Sequence, residues 1–282
     1  KNWFYSLIAM SAALKRTNPF RTVLGFASVR DEKGEEMHKS KGNAIEFNEA
    51  ASKIGADVMR WLYSTQNPEV NLNFGYGPAN DVKRKFYLIL WNSYKFFVDY
   101  ASLCNWECKL KSGELSVLDK WILGRLTKLV LLVNKGLEKY DAATASQAIE
   151  NFVVKDFSTW YIRRSRERVS SSAEKEDRNA ALSVMYGVLV TLSKLMAPFT
   201  PFIADEIFKN LTGEESAHLQ EYPKGDKSFL DEELIKNMDI VRKIVEVGHA
   251  KRKELGIKVR QPLSKFKVQS FDFAQDRSSK FK

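Results

Sequence analysis

The sequence predicts a mainly α-helical chain, with a short mixed α/β stretch followed by an α-helical bundle. Three observations predict it. From residue 82 onward, apolar residues recur at spacings of three and four over long stretches, as on amphipathic helices. Before residue 78 that period is broken by a β-rich run and by turn signals. Hydrophobic residues make up 44% and charged residues 28% of 282, enough apolar material for a sizeable core and too much for wholesale disorder.

Each element has its own signal. Trp3 to Leu14 reads as a helix with Phe4, Leu7, Ile8 and Leu14 near one face, broken by Asn18-Pro19. Thr22 to Val29 reads as a strand, and Asp31 to Gly34 as the turn of a hairpin. A polar segment, Met37 to Asn43, leads to two short helices, Asn48 to Ile54 and Ala56 to Ser64. Gly55 between them suits a helix end, and Asn48 and Asp57 suit helix caps. The bundle helices are Val82 to Ala101, Leu118 to Tyr140, Ala145 to Val169 and Asn179 to Met196, with short polar links that favour antiparallel packing. Ala197 to Pro201 breaks the last, a short helix Ile203 to Leu211 follows, and Leu230 to Leu255 is longer and more exposed. Trp61, Trp91, Trp106 and Trp121 read as packing residues.

Lys and Arg total 45 against 35 Asp and Glu, a net charge of +10. Residues 76–155 carry 12 basic and 8 acidic groups, and residues 221–282 carry 15 and 10. Such an excess fits a polyanionic partner. The two cysteines, Cys104 and Cys108, are no disulfide scaffold, which points to a reducing, cytoplasmic location. Two thiolates without a nearby His or Cys pair make no tetrahedral zinc site, so no metal is expected in this chain. The longest apolar runs, such as Leu129 to Val133, are too short to span a bilayer, and no membrane partner is expected. The chain begins at Lys1 inside what reads as structured sequence, so it is expected to be part of something longer.

Three segments carry chemistry. In His38-Lys39-Ser40-Lys41-Gly42-Asn43, two ammonium groups and a hydroxyl offer donors to phosphate oxygens, and a glycine lets backbone approach an anion. The alternative is a solvated basic turn. Arg163, Arg164, Arg166 and Arg168 cluster beside Trp160 and Tyr161; arginines bind phosphates and aromatics stack on unpaired bases. The alternative has Trp160 and Ile162 in the core and the arginines paired with Glu167, Asp156 and Glu174. Lys251, Arg252 and Lys253, with Lys258 and Arg260, suit a nucleic-acid backbone or a solvated helix end.

Glu36 to Asn43 resembles the lysine signature of class I aminoacyl-tRNA synthetases, Lys-Met-Ser-Lys-Ser followed by x-Gly-Asn. Aligned on Gly42-Asn43, Lys39 falls on the second, catalytically central lysine and Ser40 on the last serine. Glu36 replaces the first lysine and His38 a serine, and Lys41 offers a partial replacement. Trp3 to Leu7 and Ile54 to Trp61 are similar to the Ile/Val/Leu subgroup. Asn71 to Phe74, Leu90-Trp91-Asn92, Glu215 to Leu219 and Val259 to Leu263 are similar to its isoleucyl branch. Trp160 to Arg166 and Leu195 to Phe202 resemble the helical anticodon-binding domain.

The resemblance implies that residues 1–77 are the C-terminal part of a Rossmann-type catalytic domain and 78–268 the helical anticodon-binding bundle; residues 269–282, polar with scattered aromatics, read as a disordered tail. It implies activation of isoleucine with ATP, accompanied by Mg2+, and transfer to the 3′ end of isoleucine tRNA, by a monomer. His38, Lys39, Ser40, Lys41, Gly42 and Asn43 then contact ATP, with Lys39 stabilising the transition state that forms pyrophosphate. Trp160, the four arginines from Arg163 to Arg168, and Lys251 to Lys253 then contact tRNA. The other class signature, His-x-Gly-His, does not occur, so the chain alone is expected to be inactive. A valyl or leucyl enzyme, a non-catalytic tRNA-binding module and a helical scaffold without ligand remain as alternatives.

Overall fold

The computed structural model describes residues 3–107 and 114–263; Cys108, residues 264–268 and the 269–282 segment lie outside the described residues. Residues 1–230 form one compact unit and 231–282 a second.

The mixed stretch opens with α1 (Trp3–Lys15), whose Leu7, Ile8 and Leu14 are exposed. The strand expected over Thr22 to Val29 is reduced to β1 (Val29–Arg30), paired in parallel with β2 (Leu72–Asn73). The rest of that run makes irregular ties instead of a ladder. The Ala27 N–H donates to Pro68 O at 2.7 Å and the Ser28 N–H to Asn71 Oδ1 at 3.1 Å. Of the expected hairpin, one antiparallel bridge between Arg30 and Glu36 is present.

Next come α2 (Phe47–Lys53) and α3 (Ala56–Ser64), separated by Gly55 at φ +95°, a backbone state glycine adopts freely. One of the two expected caps differs. Glu46, not Asn48, accepts the Glu49 N–H at the start of α2. Gly55 precedes α3, and Asp57 serves another helix entirely, as described below.

α4 (Tyr76–Val82) runs through a π-helical stretch, Lys83–Tyr87, into α5 (Leu88–Leu103). α6 (Val117–Glu138) starts at a capping box of Ser116 and Asp119. α7 (Ala142–Asn151) passes through a longer π-helical stretch, Phe152–Ile162, into α8 (Arg163–Ser165). The step of five from Phe152 to Phe157 is the sequence trace of that widening. A π-helix, with i→i+5 bonds, buries both side chains on one face where a 3.6-residue period would separate them. α9 (Lys175–Met196) and α10 (Pro201–Thr212) follow, the latter closed by left-handed Gly213. α11 (Glu232–Glu254) belongs to the second unit, and Ile235 is its one buried residue.

α9 supplies the centre of the core. Its stripe of Leu182, Met185, Leu189, Leu192 and Met196 is fully buried, as are Trp121, Ile122 and Val133 of α6. Each such side chain contributes about 1.5–3 kcal/mol by leaving water. α9 is long and apolar enough to cross a membrane by composition, but here its apolar side chains fill the bundle. Trp61 is buried and stacked on Phe86 at 4.1 Å, whereas Trp91, expected as core or interface packing, is exposed on α5 with its ring 5.3 Å from that of Tyr94.

A polar latch joins α3 to the α9–α10 corner. The Asp57 carboxylate accepts the N–H groups of Phe202 (3.3 Å) and Ile203 (2.7 Å), capping α10 from 145 residues away. Arg60 donates to Pro198 O at 2.8 Å and Phe199 O at 2.9 Å. Tyr87 Oη donates to Asp57 O, and Trp61 Nε1 to Glu150. Two sequence motifs far apart in the chain therefore meet, and the short helices behind the lysine segment are fastened to the bundle.

Candidate active-site loop and nucleic-acid surfaces

The lysine segment is a single 3-10 turn, Lys39–Lys41, in which the Lys41 N–H donates to His38 O and the Gly42 N–H to Lys39 O. Gly42 closes it at φ +70°. The Asn43 side chain ties the two ends of the loop. Its Oδ1 accepts the His38 N–H at 2.9 Å, and its Nδ2 donates to Asp31 Oδ2 at 2.9 Å and Glu36 O at 3.1 Å. Asp31 Oδ1 also accepts the N–H groups of Lys33 and Glu35. The Asn43 donation, then those backbone bonds, hold the Asp31 carboxyl below its ordinary range.

The base is thus pinned while the tip stays open. Lys39, Ser40 and Lys41 are exposed. Among the described residues, no carboxylate lies within ion-pair distance of either lysine. His38 Nε2 stands 3.6 Å from Glu36 Oε2. Beside the loop lies a cleft of about 540 Å³ lined by Asp31, Glu35, Asn43, Phe74 and Tyr76, among others. Its carboxylates, Asp31, Glu32, Glu35 and Glu49, repel a polyphosphate. Sequence reasoning missed Asp31 as the anchor of this loop. The available signal was its Asp-x-x-Gly turn, whose carboxylate is free to bond forward along the chain.

The arginine segment is divided. Arg163 and Arg166 are exposed. The Arg164 guanidinium lies over the Trp160 ring, 3.2 Å from its centre, and Trp160 itself is buried. Arg168 turns inward. Its Nη1 and Nη2 bond Asp119 bidentately at 2.9 and 2.8 Å, and Nη2 reaches Asp177 at 2.6 Å. Asp119, fully buried, also accepts from Tyr161 Oη at 2.6 Å and Ser116 Oγ at 2.7 Å. Burial pushes the Asp119 carboxyl up, but Arg168, Tyr161 and Ser116 outweigh it and hold it low. Arg168 pairs with Asp119 and Asp177 rather than with the expected Glu167, Asp156 or Glu174, while Asp156 pairs with Arg125 at 2.8 Å.

In the second unit, Lys251 pairs with Glu254, and Arg252 Nη1 donates to Lys258 O and Gln261 O, folding back the end of α11. Lys253 is exposed. Among the described residues, no three His, Cys, Asp or Glu side chains gather as a metal would require.

The sequence matches two families. Residues 1–74 match "tRNA synthetases class I (I, L, M and V)" and residues 119–267 match "Anticodon-binding domain of tRNA ligase". It is 42% identical over 277 residues to an isoleucine–tRNA ligase of Dehalococcoides mccartyi (strain CBDB1), covering 95% of this chain and 27% of that protein. It is 40% identical over 279 residues to one of Pyrococcus furiosus, covering 96% and 26%. The chain therefore spans about a quarter of the length of these curated relatives. Its fold is similar to a LeuRS–tRNA–LeuAMS ternary complex of Agrobacterium radiobacter K84 (TM-score 0.60, 16% identity, 80% of this chain and 27% of that one). It is also similar to a Mycobacterium tuberculosis methionyl-tRNA synthetase in complex with methionyl-adenylate (TM-score 0.55, 18% identity, 64% and 36%).

Proposed function

We propose that this chain, which belongs to the class I tRNA synthetases and carries the anticodon-binding domain of tRNA ligases, serves an isoleucine–tRNA ligase. Residues 1–77 end its catalytic domain and 78–268 form its tRNA-binding bundle. The observation that carries the reading is the loop tip. Among the described residues Lys39 and Lys41 have no carboxylate partner, on a turn whose base Asn43 fixes, so their charge is available to an incoming phosphate. ATP, with its Mg2+, and isoleucine are the substrates, and Lys39 steadies charge on the departing pyrophosphate. His38, Ser40, Gly42 and Asn43 shape the ATP contact. Isoleucine tRNA is the partner, met by Arg163, Arg166 and the Arg164–Trp160 stack, and by Lys251 to Lys253. The enzyme works in the cytoplasm as a monomer.

Lys39→Ala in a full-length ligase bearing this segment is expected to slow isoleucine-dependent ATP–pyrophosphate exchange by about 10²–10³, with tRNA affinity unchanged. Unaltered exchange would overturn the assignment. The chain by itself, whose sequence holds no His-x-Gly-His, is expected to show no exchange.

A further inference from the structure

We propose that α6 and the 221–229 segment packed along it form a lysine-lined track for the sugar–phosphate backbone of tRNA. The inference rests on tRNA being the partner and names a surface for it.

The track starts from a contrast among surface lysines. Lys53, Lys85, Lys95 and Lys209 each hold a carboxylate four residues away on their own helix. α6 breaks that habit. It carries Lys120, Lys128 and Lys135, with Lys139 just past its end, and its only acids are Asp119, buried, and Glu138. Lys120, Lys135 and Lys139 have no carboxylate within ion-pair distance among the described residues. At 100° per residue, Lys128, Lys135 and Lys139 share one side of the helix, in a row about 16 Å long.

The neighbouring segment adds to the charge. Thr127 Oγ1 donates to Asp226 O at 3.0 Å and Asn134 Nδ2 to Pro223 O at 3.0 Å, fixing residues 223–226 lengthwise against α6. Gly225 makes the close approach possible, because a side chain there would come within 3.0 Å of Leu131. The arrangement sets Lys224 and Lys227 beside the row. Against these lysines stand Glu138, Glu221 and Asp226. Glu221 is paired with Lys224, and Asp226 is occupied by the Ser228 N–H. Lys227 is exposed and has no carboxylate partner among the described residues.

A surface on which Lys135, Lys139 and Lys227 have no carboxylate partner among the described residues suits phosphates rather than base edges. It supplies affinity and salt dependence without sequence choice. That sets it apart from the Trp160–Arg166 region, where an aromatic stack accompanies the charge.

The test is the salt dependence of binding between the 282-residue chain and an isoleucine tRNA transcript. K135A/K139A/K227A is expected to lower the log Kd against log salt slope by about 2–3, near one per lysine. The weakening should be equal for the native transcript and for one with an altered anticodon. K135R/K139R/K227R is expected to keep the slope, and thermal melting shows that each variant is folded. A slope unchanged in the alanine variant while the wild type binds would overturn the track and leave the tRNA reading standing. Loss of the slope in R163A/R166A instead would overturn it too. A wild-type chain without salt-dependent tRNA binding would remove the tRNA reading first, and the track with it.

Discussion

The Lys39 loop and the Arg168 cluster are both basic runs flanked by polar residues, and the fold uses them in opposite ways. In the loop, two lysines face water and a neutral amide, Asn43, does the structural work. In the cluster, the guanidinium is itself the structural element, bonded to one buried and one half-exposed carboxylate. What separates them is where the carboxylates fall in space. Asp31, at the loop, is turned toward Asn43 and backbone N–H groups. Asp119, at the cluster, is carried by its capping box into the bundle, where it needs a cation. A buried ionised carboxylate is tolerated only when paired and hydrogen-bonded. A basic motif is therefore free for a ligand when the nearby acids are satisfied without it.

Breaking the cluster should have the largest effect. Arg168→Ala leaves Asp119 buried without its cation and is expected to cost about 3–5 kcal/mol in chemical denaturation. A loss below about 1 kcal/mol would mean that Tyr161 and Ser116 suffice. The Asp57 latch sharpens the contrast, being a half-buried carboxylate that holds backbone N–H groups instead of a guanidinium. Asp57→Ala is expected to cost about 1–2 kcal/mol, the size of a lost helix cap, and to raise amide exchange at Phe202 and Ile203. Unchanged exchange at those two amides would argue against capping.

The loop should respond less. Asn43→Ala removes three hydrogen bonds from an exposed site and is expected to cost about 1 kcal/mol, seen as faster exchange at the His38 amide. Lys39→Ala is expected to leave stability within about 0.5 kcal/mol, as befits a surface residue.

Acid should separate the regions last and least. Asp31 is depressed in the folded chain, so its contribution is complete above the ordinary carboxylate range near 4 and is lost as pH falls through its folded value. Asp205, held at about 2 by Lys209 first and Ser216 next, has the same sign. The His38 amide is expected to keep its protection down to about pH 4 and lose it below; loosening on the alkaline side would refute the sign.

Much of this was legible in the sequence. The α9 stripe, the turn at Asp31, the break at Pro198 to Pro201 and the polar loop before α2 are written in signals a few residues long. Hydrophobic period, turn chemistry and capping preference act at that range. The lysine segment and its flanks also carried the family resemblance. The π-helical stretch lay half-visible in the five-residue step from Phe152 to Phe157, but a 3.6-residue reading passes over it.

The amino-acid sequence by itself determined which segments are helical, which face of each long helix is apolar, and where two lysines and a hydroxyl stand together on a turn. Only the tertiary structure decided that the run from Thr22 to Val29 enters a ladder only at its end, because a strand exists by virtue of a neighbour and Ala27 and the Ser28 N–H meet a loop. It likewise decided that Asp57 caps a helix 145 residues away and that Arg168 belongs to Asp119. Hydrogen-bond donors and carboxylates are interchangeable along a chain. Their pairing is chosen when packing brings them together, out of water, where an unpaired group is costly.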